Sequence, residues 1–131
     1  MMVSRNAQLA IASLIELAKS ERRMSATEVA EASGLSQPSV AKILSSLRQG
    51  SFIVSVPGPG GGFALSREAS AISIYEICLF FEMQTAMPDS CAITCGCTED
   101  EPCKIHLALR DVESLRETTL RDITIETLLP A

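Results

Sequence analysis

Residues Ser36–Ser66 read "SQPSVAKILSSLRQGSFIVSVPGPGGGFALS", and within this stretch the period of the apolar residues changes once. Up to Gln49 the spacing of Val40, Ile43, Leu44 and Leu47 is that of one buried helical face. Ser36 stands where a cap belongs, and Pro38 is tolerated because it falls in the first turn. After Gly50, "SFIVSV" and "FALS" are β-branched or aromatic runs separated by "PGPGGG", the pattern of a β-hairpin with a glycine-rich tip. A helix followed at once by such a hairpin predicts a recognition helix and its wing. The tip is no phosphate-binding P-loop, because no Lys-Ser/Thr follows it and no helix opens there.

The segments upstream complete the motif. "AQLAIASLIELAKS" places Ala7, Ala10, Leu14, Leu17 and Ala18 on one stripe. In "MSATEVAEASG", Ser25 with Glu28 forms a capping-box signature, and Gly34 is a helix stop. Three short helices with a tight turn before the last follow helix-turn-helix grammar. Taken alone, the polar outer face of the third helix (Ser39, Lys42, Ser45, Ser46, Gln49) is most simply a solvated surface. The hairpin behind it turns the balance toward DNA. The DNA-binding residues expected are Ser36, Gln37, Ser39, Lys42, Ser46 and Arg48 on the helix and Gly60, Gly61 and Gly62 at the tip.

Downstream, Ser73 and Glu76 form another capping box for "IYEICLFFEM", with Ile74, Ile77, Cys78 and Phe81 facing inward and Cys78 a small core residue. No periodicity runs from Thr85 to Glu101. Pro102 then opens a long helix on which Ile105, Leu109, Val112, Leu115 and later Ile123 make a narrow apolar stripe beside many charges. Such a stripe either docks on its own domain or pairs with a second copy, and dimeric DNA-binders match two-fold operators. The fold class is mainly α with a small β-hairpin wing. Its expected divisions are a winged-helix DNA-binding domain over 1–84, a cysteine-rich loop over 85–101, and a dimerisation helix with C-terminal segment over 102–131.

Composition limits the functions this scaffold can carry. With 131 residues, 47% of them hydrophobic, the chain suffices for one compact domain. The N-terminus lacks a basic stretch followed by an apolar run, and the longest apolar run is broken by Glu76 and Glu82, so a soluble, cytoplasmic protein is expected. The net charge of -5 hides an asymmetry: residues 1–70 carry seven basic and five acidic side chains, residues 71–131 four and eleven. The first half can approach a polyanion although the whole is acidic.

In "CAITCGCTEDEPCKIHLALRD", Cys91–Asp111, lie four of the five cysteines and the one histidine. Thiols stay reduced in the cytoplasm, so clustered cysteines there serve metals or redox chemistry more often than structural disulfides. Cys91, Cys97 and Cys103 are equally spaced, and His106 follows Cys103 by three residues at the start of a helix, hence on one face. Thiolates with one imidazole suit an iron–sulfur cluster, zinc or copper(I). Without a paired C-x2-C, zinc is the weaker metal reading, and a purely redox-active thiol group is the other competitor. A Cys–His nucleophile is poorly supported, since no substrate pocket is signalled.

The order of parts, "SLRQGSFIVSVPGPGGGFALSREASAISIYEI" and the C-x5-C-x5-C-x2-H spacing together resemble the Rrf-two family of bacterial winged-helix regulators over nearly the whole chain. The resemblance implies a homodimer that binds a pseudo-palindromic operator and represses transcription, with no enzymatic activity. It also implies an iron–sulfur cluster that senses iron–sulfur supply, nitric oxide or redox stress. Carried over from the IscR-like branch, the ligands are Cys91, Cys97, Cys103 and His106 around a 2Fe–2S cluster. The branch holding a 4Fe–4S cluster uses a carboxylate from the first helix of the other subunit, where this chain reads "RNAQLA" with Asn6 and Gln8. Cys95 is an additional thiol, and Pro57 stands where many relatives have a basic residue before the Gly-Pro-Gly of the wing. The alternatives are a thiol- or zinc-based regulator on the same scaffold and a metal or cluster carrier, which would have no use for the wing.

Overall fold

A computed structural model describes residues 3–83 and 100–130. The elements run α1 (Arg5–Lys19), α2 (Ala26–Ser33), α3 (Gln37–Gln49), β1 (Ile53–Val56), β2 (Gly62–Leu65), α4 (Ile74–Met83) and α5 (Lys104–Asp122), with short 3-10 turns at Ala69–Ala71 and Glu126–Leu128. This is the winged-helix arrangement the sequence predicts. No helix among the described residues is long and apolar enough to cross a membrane.

Local chemistry sets most boundaries. The Ser25 side chain accepts the Glu28 amide at 3.1 Å while the Glu28 carboxylate accepts the Ser25 amide at 3.3 Å, so two orphan donors at the start of α2 are satisfied reciprocally. Gly34 ends α2 in the left-handed region at φ 74. Ser73 and Glu76 repeat the capping box at the start of α4. Ser36 does occupy the N-cap of α3, but its hydroxyl caps no backbone amide; it donates instead to the Ser39 hydroxyl at 2.7 Å. Pro38 follows in the first turn, where an N–H would have no helical partner.

The hairpin pairs Ile53 with Leu65, Val54 with Ala64, Ser55 with Phe63 and Val56 with Gly62. A third, one-residue strand lies on the other edge of β2, where Met24 exchanges backbone hydrogen bonds with Phe63 at 3.0 and 2.7 Å. Two glycines are required by close approach. A Cβ on Gly61 would lie 2.1 Å from the Val56 carbonyl oxygen, and one on Gly62 would lie 2.7 Å from the Met24 backbone.

The core joins Leu14 and Leu17 of α1, Val29 of α2, Val40, Ile43, Leu44 and Leu47 of α3, Phe52 and Ile53 of the wing, and Ile74, Ile77, Cys78 and Phe81 of α4. Each aliphatic side chain fully removed from water here contributes about 1.5–3 kcal/mol. Ile125 joins them with no exposed surface, because the chain after α5 returns to the domain. The Ile74 amide donates to the Ile123 carbonyl at 2.8 Å, and the Ile125 amide to the Ile72 carbonyl at 3.0 Å.

This return corrects two expectations. Ile123 is not the end of the helical stripe; it is the C-cap of α5, half-buried against the core. Pro102 does not open the helix either: Cys103 is its N-cap and Lys104 its first residue. Arg116 of α5, with 11% of its side chain exposed, pairs with Glu82 of α4 and with Glu113, and the Arg121 guanidinium lies 4.1 Å from the ring centre of Tyr75.

Candidate DNA-binding face and ligand-bearing helix

With Val40, Ile43, Leu44 and Leu47 buried, α3 turns Lys42, Ser45, Arg48 and Gln49 to solvent, and Ser39 and Ser46 are half-buried at the edges of that face. Ser36 and Gln37 at its head are exposed. The Gln37 side-chain amide donates from Nε2 to the Thr27 hydroxyl of α2 at 2.8 Å.

The cations of this half separate into two sets. Lys19 pairs with Glu16 at 3.3 Å, Arg22 with Glu28 at 3.0 Å and Arg67 with Glu76 at 3.0 Å. Among the described residues, Arg5, Arg23, Lys42 and Arg48 have no ion pair, so their charge is uncompensated by a neighbouring carboxylate. Lys42 and Arg48 lie on α3. Arg23 shares a groove with Gly60 at the wing tip and with Ala64. Its approach to the wing depends on the Met24–Phe63 pairing, which no periodicity in the sequence signals.

The three tip glycines differ in what they do. Gly61 and Gly62 are taken up by contacts inside the fold, whereas a Cβ on Gly60, at φ 73, would meet nothing within 4 Å. Gly60 therefore leaves open backbone on the surface.

At the other end of the chain, Cys103 caps α5, and its Sγ accepts the His106 backbone amide at 3.4 Å. Both residues are half-buried on the first turn, as the three-residue spacing predicts. A helix N-terminus with an amide aimed at sulfur stabilises negative charge there. Cys91, Cys95 and Cys97 lie outside the described residues, and no group of three metal-ligating side chains is assembled among the described ones. Cys78 is buried in α4, where loss of hydration pushes its thiol up, so it is inert core.

The stripe on α5 is open. Ile105 is 50% exposed, Leu109 63%, Val112 56% and Leu115 69%, the four most exposed large hydrophobic side chains among the described residues. Val112, Leu115 and Leu120 line an apolar groove with Val3 from the start of the chain.

A model of the Rrf2 family, described as an iron-dependent transcriptional regulator, matches residues 3–131. The HTH-type transcriptional regulator BadM of Rhodopseudomonas palustris is 29% identical over 135 residues, covering 98% of this chain and 81% of that protein. IscR of Yersinia enterocolitica, also an HTH-type transcriptional regulator, is 28% identical over 102 residues, covering 78% of this chain and 62% of its own length. Among solved structures, CymR of B. subtilis, the global cysteine regulator of that organism, superposes with a TM-score of 0.73 at 26% identity, over 96% of this chain and 94% of that one.

Proposed function

Because the chain belongs to the Rrf2 family of transcriptional regulators, we propose that it is a cytoplasmic, homodimeric repressor whose operator affinity is set by an iron–sulfur cluster. Its activity is that of a DNA-binding regulator and not of an enzyme. Residues 1–84 bind DNA, 85–101 carry ligands, and 102–131 dimerise through Ile105, Leu109, Val112 and Leu115. Ser36, Gln37, Ser39, Lys42, Ser46 and Arg48 face the major groove, and the wing of Gly60, Gly61 and Gly62 approaches the neighbouring phosphates through the open backbone at Gly60, with Gly61 and Gly62 shaping it from inside.

The observation that carries this reading is the placement of Cys103 and His106 on the first turn of α5, the same helix that bears the open apolar stripe. A ligand-bearing turn and a dimer face on one rigid element couple whatever is held at the turn to the spacing of two recognition helices. The donor set fits an iron–sulfur cluster: Cys91, Cys97 and Cys103 offer soft thiolates and His106 a neutral imidazole. A 2Fe–2S cluster is favoured over 4Fe–4S, since α1 offers Asn6 and Gln8 and no carboxylate in that stretch. When bound, the cluster supplies a redox-active iron centre open to loss or attack.

The protein's own residues do the remaining work. Cys103 holds charge against the His106 amide, Lys42 and Arg48 release counterions from the duplex, and Ile123 and Ile125 anchor the far end of α5 to the winged helix. Ligand status changes DNA affinity only by its differential stabilisation of the binding-competent arrangement.

The similarity to CymR favours a second reading, in which Cys91, Cys95, Cys97 and Cys103 respond to thiol oxidation directly on the same scaffold. Anaerobic purification followed by visible absorption, Mössbauer spectroscopy and metal analysis separates the readings. Charge-transfer bands and a 2Fe–2S Mössbauer signature are expected. A colourless, metal-free protein whose DNA binding follows disulfide reagents would establish the thiol reading, and stoichiometric zinc a zinc site. Failure of every preparation to bind any duplex at low salt would leave a metal carrier.

A further inference from the structure

We propose that Thr27 is a positioning residue for DNA specificity: it holds the Gln37 side chain at the head of the recognition helix as an adenine reader. This rests on the reading above that α3 enters the major groove. The N-terminal residues of a recognition helix are those that reach base edges, and Gln37 is the first residue of α3. Its amide is not left to rotate. Nε2 donates to Thr27 Oγ1 at 2.8 Å across the helix-turn-helix, a bond between two exposed side chains ten residues apart.

That bond determines what Gln37 has left to offer. A primary amide carries two N–H donors and one carbonyl acceptor. With one N–H committed to Thr27, a single N–H and the Oε1 acceptor remain, and among the described residues nothing donates to Oε1. An acceptor and a donor left on one planar group match adenine in the major groove, whose N6 donates and whose N7 accepts. Guanine presents two acceptors there and cannot be matched by that pair. The bond also freezes rotors that an unrestrained glutamine would have to freeze on binding, so the preference is pre-organised in the free protein.

Neither residue is needed for the fold. Both are exposed, α2 is capped by Ser25 and Glu28, and the core side of α3 is filled by Val40, Ile43, Leu44 and Leu47.

The test starts from a duplex library with a randomised centre, selected on the full-length protein in the form that binds. Competition anisotropy then compares duplexes carrying each base pair at each position of the selected site. Adenine should be preferred about tenfold at one position per half-site. Gln37→Ala and Thr27→Val should each flatten that preference at that position alone, and Thr27→Ser, which keeps the hydroxyl, should retain it. A uniform loss across all positions in Thr27→Val would assign the bond a merely structural role and overturn the proposal. So would an unchanged adenine preference in Thr27→Val or Gln37→Ala, or a preference for guanine or thymine lost with Gln37, which would mean the amide points the other way. If the unaltered protein selects no duplex at all, the DNA-binding reading itself fails, an outcome distinct from the others.

Discussion

Arg116, near the middle of α5, forms an ion pair with Glu82 in the last turn of α4, and its second guanidinium arm bonds to Glu113 at 2.9 Å. The pair joins the long helix to the winged helix on the side where the chain leaves α4 for the cysteine-rich segment. Arg116 is largely buried, so removing its partner leaves a charge short of solvent. Glu82→Gln should therefore cost about 1–3 kcal/mol of stability, and Arg116→Met in the same background should restore part of it. Urea denaturation of the two single variants and the double variant measures the coupling. Strict additivity would mean that the bridge contributes nothing.

Glu76 carries a pH signature. Burial raises its pKa, but the Ser73 amide and hydroxyl and the Arg67 guanidinium outweigh that, holding the carboxylate below the usual glutamate range. A carboxyl whose folded pKa is depressed contributes stability that is fully present above the unfolded value, about 4.3, and is lost as pH falls through the folded one. Thermal melts between neutral pH and pH 3 should show this acid loss in the unaltered protein, and Glu76→Gln should shrink it. An identical acid limb in the variant would assign the loss to other carboxylates.

Assembly follows from the open stripe. Leu115 is more than two-thirds exposed in the single chain, so Leu115→Asp should leave the protomer folded. Across a two-fold axis each apolar side chain fully buried is worth about 1.5–3 kcal/mol, and a carboxylate placed there opposes pairing. Sedimentation should show a dimer for the unaltered protein and a monomer for the variant, whose operator binding falls with it. A monomer for the unaltered protein at high concentration would remove the dimer from the account.

The two uncompensated cations of α3 should be distinguishable by salt. Arg48, if it neutralises one phosphate, lowers affinity for all duplexes alike on replacement by Ala and reduces the salt slope by about one unit. Ser39→Ala, at the edge of the same face, should alter base preference with little change in slope. Titrations at several salt concentrations separate the two. An unchanged slope for Arg48→Ala would place that side chain away from the backbone.

How far the sequence could be read depended on the range of each interaction. Both capping boxes, the Gly34 stop, the core face of α3 and the hairpin are local, with partners within a few residues, and all were legible. The Met24–Phe63 bridge and the return of Ile123 and Ile125 to the core were not, because a one-residue strand and a short tail have no period of their own. The site divides the same way. The i, i+3 spacing placed Cys103 and His106 on one turn, whereas the Thr27–Gln37 bond depends on how two helices pack and on which rotamers face each other.

The ligand assignment makes the sharpest prediction. If the equal spacing of Cys91, Cys97 and Cys103 reflects ligation, replacing any one by Ser exchanges a soft thiolate for a hard, poorly coordinating hydroxyl, and the anaerobic protein should lose its visible bands. Cys78→Ser should keep them, because Cys78 is buried in the α4 core. Cys95→Ser should be mild. His106 discriminates further, since its backbone amide already serves Cys103 and only its ring is available as a donor. His106→Cys should retain a cluster with a shifted spectrum and a lower reduction potential, because a thiolate adds negative charge where a neutral imidazole stood. His106→Ala should leave an iron short of a ligand. An unaltered spectrum and potential in His106→Ala would exclude the imidazole and send the search for a fourth ligand elsewhere, beginning near Gln8 at the start of α1. Bleaching by Cys95→Ser but not by Cys97→Ser would show that the other member of that pair is the ligand.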